Sequence, residues 1–197
     1  MSVVKAMGTD GRSARRVDTM AAILDSASQL FAVKGVSATS MDDIAEHAGI
    51  AKGSLYYNFS SKSGLVEALM ERSVERLRAA LDSAVEGLAG AELRRAVVGE
   101  LLKEMQAQPH AARLMATEVF RTDRDWRTTT QAWREATMRH VARSYCAVGA
   151  HDRDEAALRA AALVGATLTV GMEWLLFRPA ASYQQVLDAA TEALHLD

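Results

Sequence analysis

Apolar residues recur every three or four positions along most of this 197-residue chain, which is the spacing of one face of an α-helix. The first run carries Val17, Met20, Leu24, Ala27, Leu30 and Phe31 and stops at Gly35. A longer stripe passes through Leu65, Leu69, Val74, Leu77, Leu81, Val85 and Leu88, from a start near Lys62 to the glycines at 87 and 90. Residues 91–108 repeat the pattern through Leu93, Val97, Leu101, Leu102 and Met105. Pro109 suits the first turn of a short helix reaching about Arg121, because its missing N–H costs nothing there. Asp123 or Asp125 opens the next helix, with Trp126, Trp133, Thr137, Val141, Tyr145 and Val148 inward and Gly149 as its stop. Asp152 caps a helix over 153–177, and Pro179 breaks the chain. Ser182 and Gln185 form a capping box for a last helix, whose face is Tyr183, Val186, Leu187, Ala190 and Leu194. No hairpin signal and no internal repeat interrupts the series. The expected fold class is all-α, with about nine helices.

Residues 39–62, TSMDDIAEHAGIAKGSLYYNFSSK, break the rhythm with two short helices. Ser40 caps the first by accepting from the N–H of Asp43, and Asp43 stands where a capping box wants Glu or Gln. Ile44, Ala45 and Ala48 give an apolar face, and Gly49 can take the positive φ that turns the chain. In the second helix, Lys52 to Phe59, Leu55 and Phe59 lie four apart on the inner side. Lys52, Ser54, Tyr56, Tyr57 and Asn58 are then left to point outward. Two helices crossing at a short glycine turn, over 40–59, are the layout of a helix-turn-helix whose second helix enters a DNA major groove.

Charge agrees locally. Residues 47–66 contain no Asp or Glu, and 11–17 hold three arginines and no acid. A surface that meets phosphate should exclude carboxylates. The DNA-facing candidates are Ser40, Met41, Ala51, Lys52, Gly53, Ser54, Tyr56, Tyr57, Asn58 and Lys62. Lys52 and Ser54 are placed for base edges, since lysine donates to guanine O6 and N7. Adjacent helical residues diverge by about 100°, so Tyr56 and Tyr57 cannot both face inward. Lys62 reads as a phosphate partner or as an ordinary surface lysine. Arg12, Arg15 and Arg16 read as a minor-groove arm or as a solvated one.

These residues resemble the TetR family of bacterial transcriptional regulators. The likeness runs through ILDSASQLFAVKG, TSMDDIAEHAGI and AKGSLYYNFSSKSGLVEAL and covers roughly residues 17–77. It implies a three-helix DNA-binding domain followed by a helical domain that dimerises and binds an effector. It also implies phosphate contact for both tyrosines. Ala51 stands where the family often has Ser or Thr, and Asn58 replaces a frequent His; both bear on the operator sequence. The expected organisation is a flexible arm at 1–16, the DNA-binding domain at 17–77 and an effector-binding and dimerisation domain at 78–197.

Composition narrows the classes. Apolar residues are 49%, enough for a packed core and too many for disorder. Net charge is −2, with a surplus of one cation in 1–62 and of three acids beyond, so DNA contact would be local. Cys146 is the only cysteine, which rules out an intramolecular disulfide. The N-terminus lacks the apolar core of a signal peptide. The longest uncharged run, Ala160 to Met172, falls short of the ~18 residues of a membrane span. A cytoplasmic protein with no membrane partner is expected.

That run, AAALVGATLTVGM, has no charged side and should be buried on nearly all faces. A homodimer pairing the helices near 153–177 and 182–195 would hide it, an expectation that owes most to the family resemblance. Met105, Phe120, Trp126, Trp133, Met138, Tyr145, Met172, Trp174 and Phe177 are the large apolar stock of the second half. Most serve as core, and a subset is expected to line a pocket for an apolar or aromatic effector. Glu118, Glu173 and His140 lie beside these faces. The histidines at 47, 110, 140, 151 and 195 are scattered, and none pairs with Cys146 or a carboxylate at metal-ligand spacing. No catalytic set and no cofactor site emerges. The expected protein is a DNA-binding regulator, most simply a repressor released from a palindromic operator by a small effector. A constitutive DNA binder and an enzyme built on a helix-turn-helix scaffold are the alternatives.

Overall fold

The computed structural model describes residues 10–118, 127–147 and 152–195. Among the described residues there are nine α-helices and no strand. The chain divides into two compact units, residues 1–69 and 70–197. The division falls within a helix, eight residues before the boundary expected from the sequence.

The first unit begins with α1 (Asp10–Lys34), α2 (Met41–His47) and α3 (Lys52–Asn58), and takes in the first turns of α4 (Lys62–Ala84). Ile23, Leu24, Ala27 and Phe31 of α1 are buried, as are Ile44, Ala45, Leu55, Phe59, Leu65 and Val66. α1 starts seven residues earlier than the periodicity suggests, so 10–16 is helix and not part of a flexible arm. Arg12, Ala14, Arg15 and Arg16 are good helix formers, an acid opens the first turn, and nothing between them stops propagation. Val17, expected inward, is 64% exposed, and Ile23 takes the core position instead. The apolar stripe of α1 therefore starts one turn later than Val17.

Val74, Leu77, Leu81 and Val85 join the core of the second unit. Regular α4 stops at Ala84, short of Leu88, because the chain turns at Gly87 with φ of 74°. The remaining helices are α5 (Gly90–Ala107), α6 (Pro109–Glu118), α7 (Arg127–Ala147), α8 (Arg153–Phe177) and α9 (Tyr183–Ala193). The stop expected at Gly149 lies outside the described residues. α5 is the hub, packing against α6, α7, α8 and α9. Gly99 of α5 sits under Tyr183, whose hydroxyl donates to the Gly99 carbonyl at 3.2 Å, and a Cβ there would lie 2.9 Å from that hydroxyl. The cap expected at Asp152 and the capping box expected at Ser182 are both present: Asp152 accepts from Glu155 N–H, and Ser182 exchanges both bonds with Gln185.

α8 is less enclosed than its sequence suggests. Leu158, Ala162, Gly165, Thr169 and Leu176 recur at helical spacing and are all exposed. By length and composition α8 could cross a membrane, with mean hydropathy 1.6 over its most apolar window, a third of which is buried. The uncharged run Ala160–Met172 is itself shorter than a span, and the helix reaches that length only by including flanking charged residues. In the folded chain α8 packs on α5, α6, α7 and α9.

Candidate nucleic-acid interface and interior cleft

The turn between α2 and α3 is built from backbone outward. Ser40 Oγ accepts from Asp43 N–H at 3.0 Å, and Asp43 Oδ2 accepts from Ser40 N–H at 2.9 Å, so the box closes with Asp in place of Glu. These bonds from Ser40 hold the Asp43 carboxyl below the usual carboxylate range. Gly49 takes φ of 66°, and the N–H of Ile50 returns to the Ala45 carbonyl at 3.0 Å. Ala51 then starts α3 without a side-chain cap.

Leu55 is fully buried and Phe59 nearly so, and they fix the inner side of α3. Tyr56 is 50% exposed and Tyr57 80% exposed, so both rings face water where the helical geometry required only one. Ala51 and Gly53 are exposed, Ser40 is exposed, and Met41 and Ser54 are half-buried. Arg12, Arg15 and Arg16 fall within α1, and their side chains lie outside the described set.

Three of the DNA-facing candidates have partners within the chain. Asn58 is half-buried and turns back on its own helix, its Nδ2 donating to the Ser54 carbonyl at 2.8 Å. A side-chain amide that bonds the carbonyl four residues back is turned along its own helix. Lys62 Nζ donates to the carbonyls of Ser37 and Thr39 at 3.1 and 2.8 Å. It straps the loop before α2 to the first turn of α4, and one of its three donors is left over. Lys52 is not free either, because its Nζ lies 2.5 Å from Asp42 Oδ2. That bond raises the lysine's proton affinity. The acid-free window in the sequence hides Asp42, which the turn folds beside Lys52 from ten positions away.

The second unit holds an apolar cleft with about 660 Å³ of empty space, part of it open to solvent. Leu77 of α4, Leu101 and Met105 of α5, Met115 of α6, Trp133 of α7 and Leu168 and Met172 of α8 line it. Ala111, Ala112 and Ala116 form the α6 wall. Arg76 and Glu104 stand among the lining residues and pair at 3.0 Å between Nε and Oε2.

Of the expected pocket set, the structure brings together Met105, Trp133 and Met172. Trp174 is core, its indole N–H donating to the Ala181 carbonyl at 2.9 Å. Tyr145 lies under the Arg94 guanidinium at 4.7 Å. Met138 lines a different, shallower recess beside Leu158, and Phe177 is 73% exposed. Phe120, Trp126 and the Glu118 side chain lie outside the described set. Glu173 pairs with Arg178 at 3.1 Å, and His140 with Asp82 at 2.6 Å, both away from the cleft. A search for large side chains misses Ala111, Ala112 and Ala116, because a cavity is left where side chains are small. Among the described residues no group of three His, Cys, Asp or Glu could hold a metal ion.

Residues 23–69 match the model of the family described as bacterial regulatory proteins, tetR family. That match, across the helix-turn-helix and its flanking helices, supports a TetR-family relationship. Among curated TetR relatives, the transcriptional repressor KstR2 of Rhodococcus jostii is 42% identical over 69 residues, covering 35% of this chain and 32% of that protein. The match thus spans about a third of that protein's length. The likeness of fold is wider. FadR of Bacillus halodurans, a fatty acid degradation regulator, superposes with a TM-score of 0.77 at 17% identity over 89% of this chain and 94% of that one. FadR of Bacillus subtilis, solved with stearoyl-CoA, does so at 0.76 and 16% identity over 88% and 96%. At these identities the structures support the all-α TetR fold alone.

Proposed function

We propose that the protein is a ligand-responsive DNA-binding repressor. The observation that carries the reading is the two-sided character of α3. Leu55 and Phe59 anchor one side, while Tyr56, Tyr57 and Lys52 are exposed on the other. Tyrosine hydroxyls and the remaining Lys62 donor suit backbone phosphate, which positions a helix without reading sequence. Lys52 and Ser54 are the candidates for base edges. A homodimer formed through α8 and α9 would set two copies of α3 about 34–36 Å apart on a near-palindromic operator. The exposed small residues of α8 support that choice of interface.

The effector occupies the cleft lined by Met105, Trp133, Met172 and the α6 alanines. Its lining fits an alkyl or aromatic compound, and the acyl chain held by one FadR structure makes fatty acyl compounds the first class to assay. Occupation would bias α4, which supplies Leu77 to the cleft and runs on into the DNA-binding unit. The curated relatives are regulators, which favours this reading over the enzyme alternative. The cleft speaks against a constitutive binder.

The test starts by selecting a duplex from a random pool with the protein itself. Titrating acyl and aromatic compounds should then weaken binding to that duplex about 5–150-fold, the span of a ~1–3 kcal/mol coupling. A compound that binds the second unit yet leaves duplex affinity unchanged would refute the repressor mechanism.

A further inference from the structure

The DNA-facing surface carries an acid beyond the one that closes the α2 cap. Asp42 is the second residue of α2, and its Oδ2 lies 2.5 Å from Nζ of Lys52, the lysine of α3. The α2 cap is already complete through Ser40 and Asp43. Both side chains of the pair are open to water, at 51% and 66%, and an ion pair so exposed adds little to stability. Its consequence is electrostatic. Each cation that reaches phosphate releases a counterion and strengthens binding to any sequence. A lysine on a flexible four-carbon stem reaches many phosphates unless something holds it. Here a carboxylate both holds the ammonium and cancels its charge.

We propose that Asp42 is a specificity-determining residue, which withholds the Lys52 ammonium from the general phosphate backbone. It yields the lysine only to an acceptor placed well enough to replace a carboxylate, such as the O6 and N7 edge of guanine. The inference rests on the DNA-binding reading above. It adds that the helix-turn-helix contains its own brake on nonspecific contact.

The experiment compares wild type, Asp42→Asn, Lys52→Ala and the double variant by fluorescence anisotropy, across about 50–200 mM salt, the span over which phosphate contacts are read out. Two probes are used: a random-sequence duplex, and the duplex selected by the wild-type protein. Asp42→Asn should bind the random duplex several-fold more tightly at low salt, with a log–log salt slope steeper by about 0.9. The ratio of selected to random affinity should fall. Lys52→Ala should cost random-duplex affinity little beside Asp42 and several-fold once Asp42 is Asn. Equal losses in the two backgrounds, or an unchanged affinity ratio, overturn the proposal while leaving DNA binding intact. A wild-type protein that binds neither duplex at low salt overturns the functional reading and this inference together.

Discussion

The two units put their chemistry on opposite sides of the same kind of helix. In the first, the candidate groups stand on the outside of α3 and the apolar residues inside, so Tyr57 and Leu55 have separate duties. In the second, the cleft is lined by core residues: Leu77, Leu101 and Trp133 belong both to the packed cluster and to the cavity wall. A surface site can be altered without unfolding its support. An interior site shares its walls with the fold, so stability and ligand response should move together.

Trp133→Ala breaks that comparison most severely. Trp133 is 8% exposed and touches both core and cleft. Its truncation should cost about 3–5 kcal/mol, read as a lowered denaturant midpoint, and abolish saturable binding of the effector. Gly171→Ala is the next strongest. A Cβ there would come within 2.5 Å of Met105 Cε and Sδ, so Met105 must swing into the cleft. Met105 is flexible at that end and alanine favours the helix, so the stability change should stay within about 1 kcal/mol, with weaker uptake of the bulkiest ligands in calorimetry. In the first unit, Ser40→Ala removes half of the α2 capping box. It should lower stability by about 1 kcal/mol in thermal melts, without changing the groups on α3.

Tyr57→Phe sharpens the contrast from the other direction. The hydroxyl stands on a ring that is 80% exposed, so stability should stay within about ±0.5 kcal/mol. Duplex affinity should drop, seen as weaker anisotropy binding at fixed salt. The smallest effect concerns Asp82, which accepts from His140 and Arg139 and joins α4 to α7. His140 first, then Arg139, hold its carboxyl below the ordinary range. A depressed folded-state value means that the contribution is present above the unfolded value near 3.8 and is lost as pH falls through the folded one. Asp82→Asn should therefore flatten the acid limb of the stability–pH curve and leave the neutral region little changed.

The same contrast explains what was legible in the sequence. Helix positions followed from periodicity, and the helix-turn-helix from Ser40, Gly49 and the spacing of Leu55 and Phe59. What escaped was pairing across the turn: Asp42 with Lys52, and Lys62 with the carbonyls of Ser37 and Thr39. Linear windows of charge do not see neighbours ten or twenty-five residues away. The cleft escaped for another reason. Met105, Trp133 and Met172 differ in no sequence property from Trp174, which is core. The start of α1 at Asp10 was missed because helix propagation needs good helix formers and no apolar stripe.

Beside Met115, the wall that α6 presents to the cleft consists of Ala111, Ala112 and Ala116, side chains with no rotamers to rearrange. Those three positions keep their shape whatever enters, so the room beside them is set by residue identity, while the methionines opposite can adapt. Exchanging Ala111, Ala112 or Ala116 for Val or Leu adds about two or three carbons to the wall and should shorten the accepted compound to match, each buried methylene being worth about 0.8 kcal/mol. Chemical taste could drift by such steps over generations while the partner on the genome stayed the same.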